Sequence, residues 1–257
     1  MKDLPNMLCI VVMLVLCSYT TLNKKNLQLK RIVIDAGHGG KDPGALGRIS
    51  QEKEVALQIA NGVAALLKTH LEGIEVIYTR RNNDEFVELR ERARIANREH
   101  ADLFVSIHCN ASTVPTVKGT ETYVLGLSPD QVAQRENAAI QKEANFQSNY
   151  EEDLEPNSPA HHILYANYQL ANQKNSLMVA QMVEYQFREN LRRQSHGVKQ
   201  SSFIVLWKTA MPSVLIEVGF LTNEEEETFL NAKKGSEDIA YNIFEAIRKY
   251  KIQIEKP

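Results

Sequence analysis

The amino-acid sequence predicts an α/β domain built on a largely parallel sheet. Short apolar runs, typical of buried strands, alternate with stretches whose apolar residues recur at helical spacing. Polar residues or glycines follow several of these runs directly. A length of 257 residues, with 43% hydrophobic and 24% charged residues, suits a single globular domain with a sizeable core.

The predicted strands are apolar runs too short to be helices. Runs of this kind, rich in valine, isoleucine, leucine and aromatic residues, are expected where both faces of a sheet are covered. They occupy residues 31–35, 74–79, 103–107, 203–206 and 213–217. Residues 120–125, rich in Thr, Tyr and Val, are also predicted to form a strand.

The predicted helices have apolar residues every three or four positions, which places those residues on one face. The positions are Val55, Ile59, Val63, Leu66 and Leu67; then Leu89, Ala93 and Ala96; then Leu177, Ala180, Val183, Phe187 and Leu191; and finally Ile239, Ile243, Ala246 and Tyr250. Gly197 is the expected stop of the third helix. Because residues 128–175 are rich in Gln, Asn and Glu, they are predicted to form a helical insertion with an exposed acidic loop.

The N-terminus has the features of a secretory signal peptide over residues 1–20. Lys2 precedes an apolar run of eleven residues, 7–17, which is too short to cross a bilayer as a helix, and small polar residues follow it. We therefore expect an exported protein of the periplasm or cell envelope, with a polar spacer at 21–30 and no stable membrane span after signal removal. Leu16 before Cys17 is unusual for lipid attachment, although a retained anchor stays open.

Charge and cysteine content exclude some functions. A formal net charge of −2 leaves no excess of cations to neutralise nucleic-acid phosphates. With Cys9 and Cys17 in the signal segment, Cys109 is alone in the mature chain, so no internal disulfide is expected.

Four polar residues stand next to predicted core elements, where open α/β sheets place their sites. His38 follows the first strand, Glu52 precedes the first helix, and His108 and Glu217 end two further runs. Two imidazoles and one carboxylate leave a fourth tetrahedral position for water, as in catalytic zinc sites. A second carboxylate can take the proton of that water.

Each of these residues also has a structural explanation when taken alone. A histidine after a strand is often only hydrogen-bonded, Glu52 suits the first turn of a helix, and Glu217 suits an ion pair with a buried arginine. A nucleophilic pair of Cys109 and His108 is disfavoured because neighbours on a strand face opposite ways.

Six longer segments point further: IDAGHGGKDPGALG, QEKEVALQIA, TRRNNDEFVELRERARIAN, SIHCNAS, GTETYVLG and GVKQSSFIVLWKTAMPSVLIEVGFLTN. Together they resemble the zinc-dependent N-acetylmuramoyl-L-alanine amidases of the amidase type 3 family. The resemblance extends from about residue 31 to residue 250.

The resemblance implies a six-stranded sheet flanked by helices, within a catalytic domain over 31–252. It implies one zinc ion held by His38, Glu52 and His108, with Glu217 as the catalytic carboxylate. The implied reaction cleaves the amide between the lactyl group of N-acetylmuramic acid and L-alanine in peptidoglycan, for cell separation or wall turnover. Asp35 is a candidate to orient an imidazole, or else to stabilise a turn.

In some relatives an inserted helix covers the zinc until a partner displaces it. We therefore expect the insertion to restrain activity through Glu136, Glu143, Glu151 or Glu152, and a protein activator to relieve this. A substrate-binding wall or a disordered loop is the alternative. Two other functions stay open: a zinc carboxypeptidase or aminopeptidase acting on wall peptides, and an inactive peptidoglycan-binding regulator.

Overall fold

The computed structural model describes residues 28–126 and 159–256. Its six strands are β1 (Arg31–Ala36), β2 (Glu75–Tyr78), β3 (Leu103–Asn110), β4 (Thr120–Leu125), β5 (Ser195–Ser201) and β6 (Ser213–Phe220). The described helices are α1 (Glu52–His70), α2 (Leu89–Arg98), α3 (Pro159–Tyr185), α4 (Ile204–Trp207), α5 (Glu224–Asn231) and α6 (Lys233–Ile254), and a π-helical turn, Gln186–Asn190, follows α3.

The strands form one sheet in the order β2-β1-β3-β6-β4-β5. Neighbouring strands are parallel except for β4 and β6, which run antiparallel. The prediction of a largely parallel, six-stranded α/β sheet is therefore confirmed. The carboxyl ends of β1, β3 and β6 meet at one edge, which is where polar groups can converge.

Helices cover both faces of the sheet, as the continuous apolar strands require. Alternate residues of the central strands, such as Ile34, Ile107 and Ile216, pack under α1, α3 and α6. The residues between them, such as Phe104 and Leu215, pack against α2 and α4. No helix in the two described ranges is both long and apolar enough to cross a membrane.

Two predictions in the C-terminal half were wrong. Residues 203–206 are not a strand, because Ile204–Trp207 is a short buried helix. The strand lies earlier, at β5, and contains Gly197, which therefore does not stop a helix. β5 is a half-buried edge strand, so it lacks the apolar run that identifies a central strand, and an apolar run of four residues does not distinguish strand from helix.

Two helices also differ from the sequence pattern. α3 begins at Pro159, so residues 159–175 belong to the same helix as the apolar face predicted from Leu177 onward. α5 was not predicted; its N-cap is Asn223, whose side chain accepts a hydrogen bond from the Glu226 backbone N–H. The predicted signal peptide, and residues 127–158 of the predicted insertion, lie outside the described residues.

Candidate metal centre

The side chains of His38, Glu52 and His108 meet at the carboxyl edge of the sheet. One ligand atom from each lies within 4.8 Å of the others. Glu52 is central, with Oε2 at 3.0 Å from His38 Nε2 and Oε1 at 2.9 Å from His108 Nδ1. The two imidazole rings are edge-on, with centroids 5.0 Å apart. The three residues predicted as metal ligands therefore form one cluster in the described structure.

Local backbone geometry brings each of the three residues to this point. His38 follows β1 and has a left-handed φ of 59°, which turns the chain sharply after the strand. Glu52 is the first residue of α1. His108 lies near the end of β3, just before a register shift against β6.

Glycines leave room for the cluster. A Cβ atom on Gly37 would lie 2.4 Å from the His108 ring, and one on Gly44 would lie 2.5 Å from Glu52 Oε2. Gly44 also has a φ of 69°, a conformation that glycine adopts without steric cost. These two positions explain why glycines surround the cluster in the sequence.

The Glu52 carboxylate is buried but well supplied with donors. It accepts hydrogen bonds from the Ala45 and Cys109 backbone N–H groups at 2.7 and 2.9 Å. Burial alone would raise the pKa of Glu52, but hydrogen bonds and charge from His108 and His38 hold it well below its usual range. The carboxylate is therefore ionised, as a metal ligand must be.

Asp42 orients the His38 ring, a role that sequence analysis missed. Asp42 Oδ2 lies 2.7 Å from His38 Nδ1, so Nδ1–H donates to it and Nε2 is left to face the cluster. Asp42 Oδ1 also accepts from the Gly44 N–H at 3.0 Å. The Asp-Pro-Gly sequence at 42–44 was the available signal, because such turns hold an aspartate side chain close to its own backbone.

Asp35 has a different position from the one expected of it. It is fully buried, and accepts from Thr79 Oγ1 and Ser106 Oγ at 2.6 Å each and from Arg92 Nη1 at 2.8 Å. In the described ranges its hydrogen-bond partners are two hydroxyl groups and a guanidinium group, so the expected hydrogen bond to a histidine is not made. Its carboxylate instead joins β1, β3 and α2 behind the cluster.

Replacing Asp35 with asparagine is expected to lower the free energy of unfolding of the metal-free protein by about 3 kcal/mol, because Arg92 would lose its buried partner. Burial raises the pKa of Asp35, but Arg92, Ser106 and Thr79 outweigh it, so the net direction is downward. The stabilisation is thus present at neutral pH and is lost as the pH falls through the folded-state pKa.

Urea denaturation at pH 7 and at acidic pH checks this result, with the exposed Asp84→Asn as the matched control. The Asp35→Asn deficit should shrink at the lower pH. Equal stability of Asp35→Asn and the parent at pH 7 would contradict the assignment.

Glu217 lies beside the cluster on the neighbouring strand. It is paired in register with His108 of β3, so the two side chains emerge from the same face of the sheet. Its Oε2 atom is buried and has no hydrogen-bond partner in the described structure. Burial raises the pKa of Glu217 to about 7, with Glu52 and Glu121 adding to this and His108 and His38 opposing it.

Glu121, on the other side of Glu217, was also missed from the sequence. It is paired in register with Glu217 across β4 and β6. Its carboxylate accepts from Lys199 Nζ at 2.5 Å, from the Tyr123 hydroxyl at 2.6 Å and from Asn110 Nδ2 at 3.1 Å. A row of His108, Glu217 and Glu121 therefore crosses three adjacent strands, and only the middle carboxylate has an oxygen without a donor.

The donor set fits a divalent metal ion. Two imidazole nitrogens and a carboxylate oxygen are ligands that zinc accepts, although other first-row metals bind the same types of ligand. Glu217 Oε2, next to the cluster, is a buried acceptor without a hydrogen-bond partner in the described structure, so a bound ligand or water can occupy the adjacent space. The arrangement can hold a metal and keep a basic carboxylate beside it.

Cys109 and the four glutamates of the predicted insertion are not part of the described cluster. Cys109 follows His108 on β3 and is buried among apolar residues. Burial raises the pKa of its thiol well above the usual range, which disfavours a nucleophilic thiolate. Glu136, Glu143, Glu151 and Glu152 lie outside the described residues.

A family model and a curated relative match most of this chain, and both are described as N-acetylmuramoyl-L-alanine amidases. Residues 32–249 match the family model described as N-acetylmuramoyl-L-alanine amidase. The N-acetylmuramoyl-L-alanine amidase AmiA of Escherichia coli (strain K12) is 34% identical over 234 residues, covering 88% of this chain and 78% of AmiA.

Solved structures of the same class superpose on this chain. A crystal structure of N-acetylmuramoyl-L-alanine amidase from Clostridium difficile 630 has a TM-score of 0.66 at 27% identity, covering 87% of this chain and 97% of that one. The CwlD amidase from Clostridioides difficile, solved in complex with the GerS lipoprotein, has a TM-score of 0.64 at 26% identity, covering 86% and 98%.

Proposed function

This chain belongs to the N-acetylmuramoyl-L-alanine amidase family and is therefore a hydrolase, and we propose that its reaction depends on zinc. The bond cleaved is the amide between the lactyl group of N-acetylmuramic acid and the L-alanine that begins the peptidoglycan stem peptide. His38, Glu52 and His108 hold the zinc, and Glu217 is the catalytic carboxylate.

The observation that carries this proposal is the register of β3 and β6. Because His108 and Glu217 are paired in register on adjacent parallel strands, a metal-ligand cluster and a buried carboxylate face one another across a single strand spacing. Amide hydrolysis needs both, an electrophilic centre for the carbonyl and a base for the attacking water.

Zinc, when bound, polarises the scissile carbonyl and lowers the pKa of water to near neutrality. The protein's own residues supply the proton transfers. Glu217 accepts a proton from the attacking water on its unpartnered oxygen, and returns it to the nitrogen of L-alanine as the C–N bond breaks. Burial raises the pKa of the Glu217 carboxyl group to about 7 in the metal-free protein, and a bound cation lowers it, which favours the carboxylate form that accepts the proton.

Neighbouring residues hold this arrangement in place. Asp42 keeps His38 in the tautomer that presents Nε2 to the cluster. The three donors of Glu121 satisfy its charge, so Glu121 does not compete with Glu217 for a proton. Glu217 rather than Glu121 is therefore the base, because only Glu217 has an oxygen without a hydrogen-bond donor among these two carboxylates.

The substrate and setting follow from the proposed reaction. Peptidoglycan lies outside the cytoplasmic membrane, so the enzyme acts in the periplasm or cell envelope, in cell separation or wall turnover, after export by the N-terminal signal peptide. A protein partner is supported by the similarity to CwlD, whose structure was solved with the GerS lipoprotein. We propose that such a partner activates this enzyme.

Digestion of purified sacculi tests the proposal directly. We expect free lactyl carboxylates on the glycan and intact stem peptides that begin with L-alanine, identified by mass spectrometry. A chelator should abolish the release, and added zinc should restore it, because both the carbonyl and the water depend on the metal.

Two outcomes of the same digestion would contradict the proposal. Release of single amino acids from peptide ends would identify a carboxypeptidase or aminopeptidase. Binding of sacculi without any cleavage at saturating zinc, both by the full chain and by a variant that lacks residues 128–158 of the insertion, would identify a peptidoglycan-binding regulator.

A further inference from the structure

Two buried arginines lie directly behind the metal-ligand cluster. Arg80 follows β2 and Arg92 belongs to α2, and their relative exposures are only 1% and 2%. Within the described residues, their side chains donate hydrogen bonds to backbone carbonyls, Asn83 and Asp35. A buried cation is expensive unless its donors are satisfied, and placing it near a cation site adds repulsion, so the pair requires an explanation.

The two guanidinium groups together bind three successive backbone carbonyls at the turn that carries His38. Arg80 donates from Nε to Ala36 O at 2.9 Å and from Nη2 to Gly37 O at 2.8 Å. Arg92 donates from Nη1 to Ala36 O and from Nη2 to His38 O, each at 2.7 Å. Arg92 is anchored in turn by its ion pair with Asp35.

Arg80 also reaches the second ligand. Its Nη2 donates to the backbone carbonyl of Lys53 at 2.6 Å, one residue after Glu52 at the start of α1. One guanidinium group therefore joins the backbone beside His38 to the backbone beside Glu52. Lysine could not make these contacts together, because its single ammonium lacks the planar fork of donors.

The turn needs such support. His38 has a left-handed φ of 59°, which is uncommon for a residue with a side chain, and Gly39 and Gly40 also have positive φ values. A Cβ atom on Gly39 would lie 2.8 Å from Arg80 Cδ, so the turn and the arginine are packed against each other. Hydrogen bonds to the carbonyls keep this uncommon conformation from relaxing.

We propose that Arg80, assisted by Arg92, is a positioning residue that sets the distance and orientation between the metal ligands His38 and Glu52. The inference rests on the proposed metal site but not on the identity of the substrate. It assigns Arg80, the middle residue of the TRR segment at 79–81, to metal affinity and coordination geometry.

Arg80→Lys is the test, because lysine keeps the charge and loses the fork. The matched control is Arg81→Lys at the exposed neighbouring position. Zinc affinity is measured by competition with a chromogenic chelator, and coordination geometry by the visible absorption spectrum of the cobalt(II)-loaded protein. We expect at least about tenfold weaker zinc binding and an altered cobalt spectrum for Arg80→Lys, the loss found when groups that orient metal ligands are removed. Arg81→Lys should match the parent within about twofold.

Other outcomes are equally decisive. Zinc affinity and a cobalt spectrum like the parent's in a folded Arg80→Lys would overturn the inference, even if that variant were less stable to urea. If Arg80→Lys is recovered unfolded, Arg92→Lys, which loses the contact to His38 O, is measured in the same way. Loss of the fold in both variants would assign the arginines to stability alone and overturn the inference. Failure of the parent protein to bind zinc would overturn the proposed metal together with it, so the two failures are distinguishable.

Discussion

Replacing Glu217 with glutamine is expected to reduce hydrolysis of purified sacculi by about 10³-fold while zinc content and fold are retained. General acid–base groups contribute a factor of roughly 10²–10⁴, and the amide of glutamine cannot accept the proton of the attacking water. The substitution preserves size, so the packing between His108 and Glu121 is unchanged.

A second measurement separates the chemical role of Glu217 from a structural one. Because burial raises the folded-state pKa of Glu217 above its usual value, folding stability falls as the pH rises from the unfolded-state pKa toward about 7. A neutral glutamine lacks this penalty. Metal-free Glu217→Gln should therefore be at least as stable to urea at pH 7 as the parent, although it is inactive.

The matched control is Glu237→Gln on the exposed side of α6, where Glu237 makes a surface ion pair with Lys233. It should retain activity and stability. Hydrolysis by Glu217→Gln at the parent rate would remove Glu217 from the proposed chemistry.

Glu52→Gln is expected to have the second large effect, namely loss of the bound metal. Glu52 accepts from two backbone N–H groups and faces both imidazoles, so its charge is central to the ligand cluster. A neutral amide places its N–H₂ group against one of these donors and no longer offers an anionic oxygen. Zinc affinity should fall by at least about 100-fold, since even residues that only support a metal ligand are worth about 10–100-fold.

Metal content after gel filtration and chelator competition measure this loss, and hydrolysis should fall with it. Glu54→Gln is the matched control, because Glu54 belongs to the same first helical turn but is exposed. Stoichiometric zinc in purified Glu52→Gln would contradict the role assigned to Glu52.

The sequence alone predicted most of the alternation of strands and helices, and it identified His38, Glu52, His108 and Glu217 as the candidate residues of the site. The central strands are covered on both faces, so their runs are continuously apolar and end abruptly at polar residues. The change from an apolar run to a polar residue is visible in the sequence even when the neighbouring strands are unknown. β5 was missed because it lacks this signal. It is a half-exposed edge strand, and such a strand does not need an apolar run.

Only the tertiary structure decided how these residues are supported. Asp42, Glu121 and the two buried arginines are ordinary charged residues in the sequence, and their roles come from what lies opposite them in space. Cross-strand register set Glu217 between His108 and Glu121, and the turn at His38 set which carbonyls Arg80 could reach. Residue type thus predicts which groups can do chemistry, whereas distance and burial decide which carboxylate is free to do it, because both depend on contacts between segments far apart in the chain.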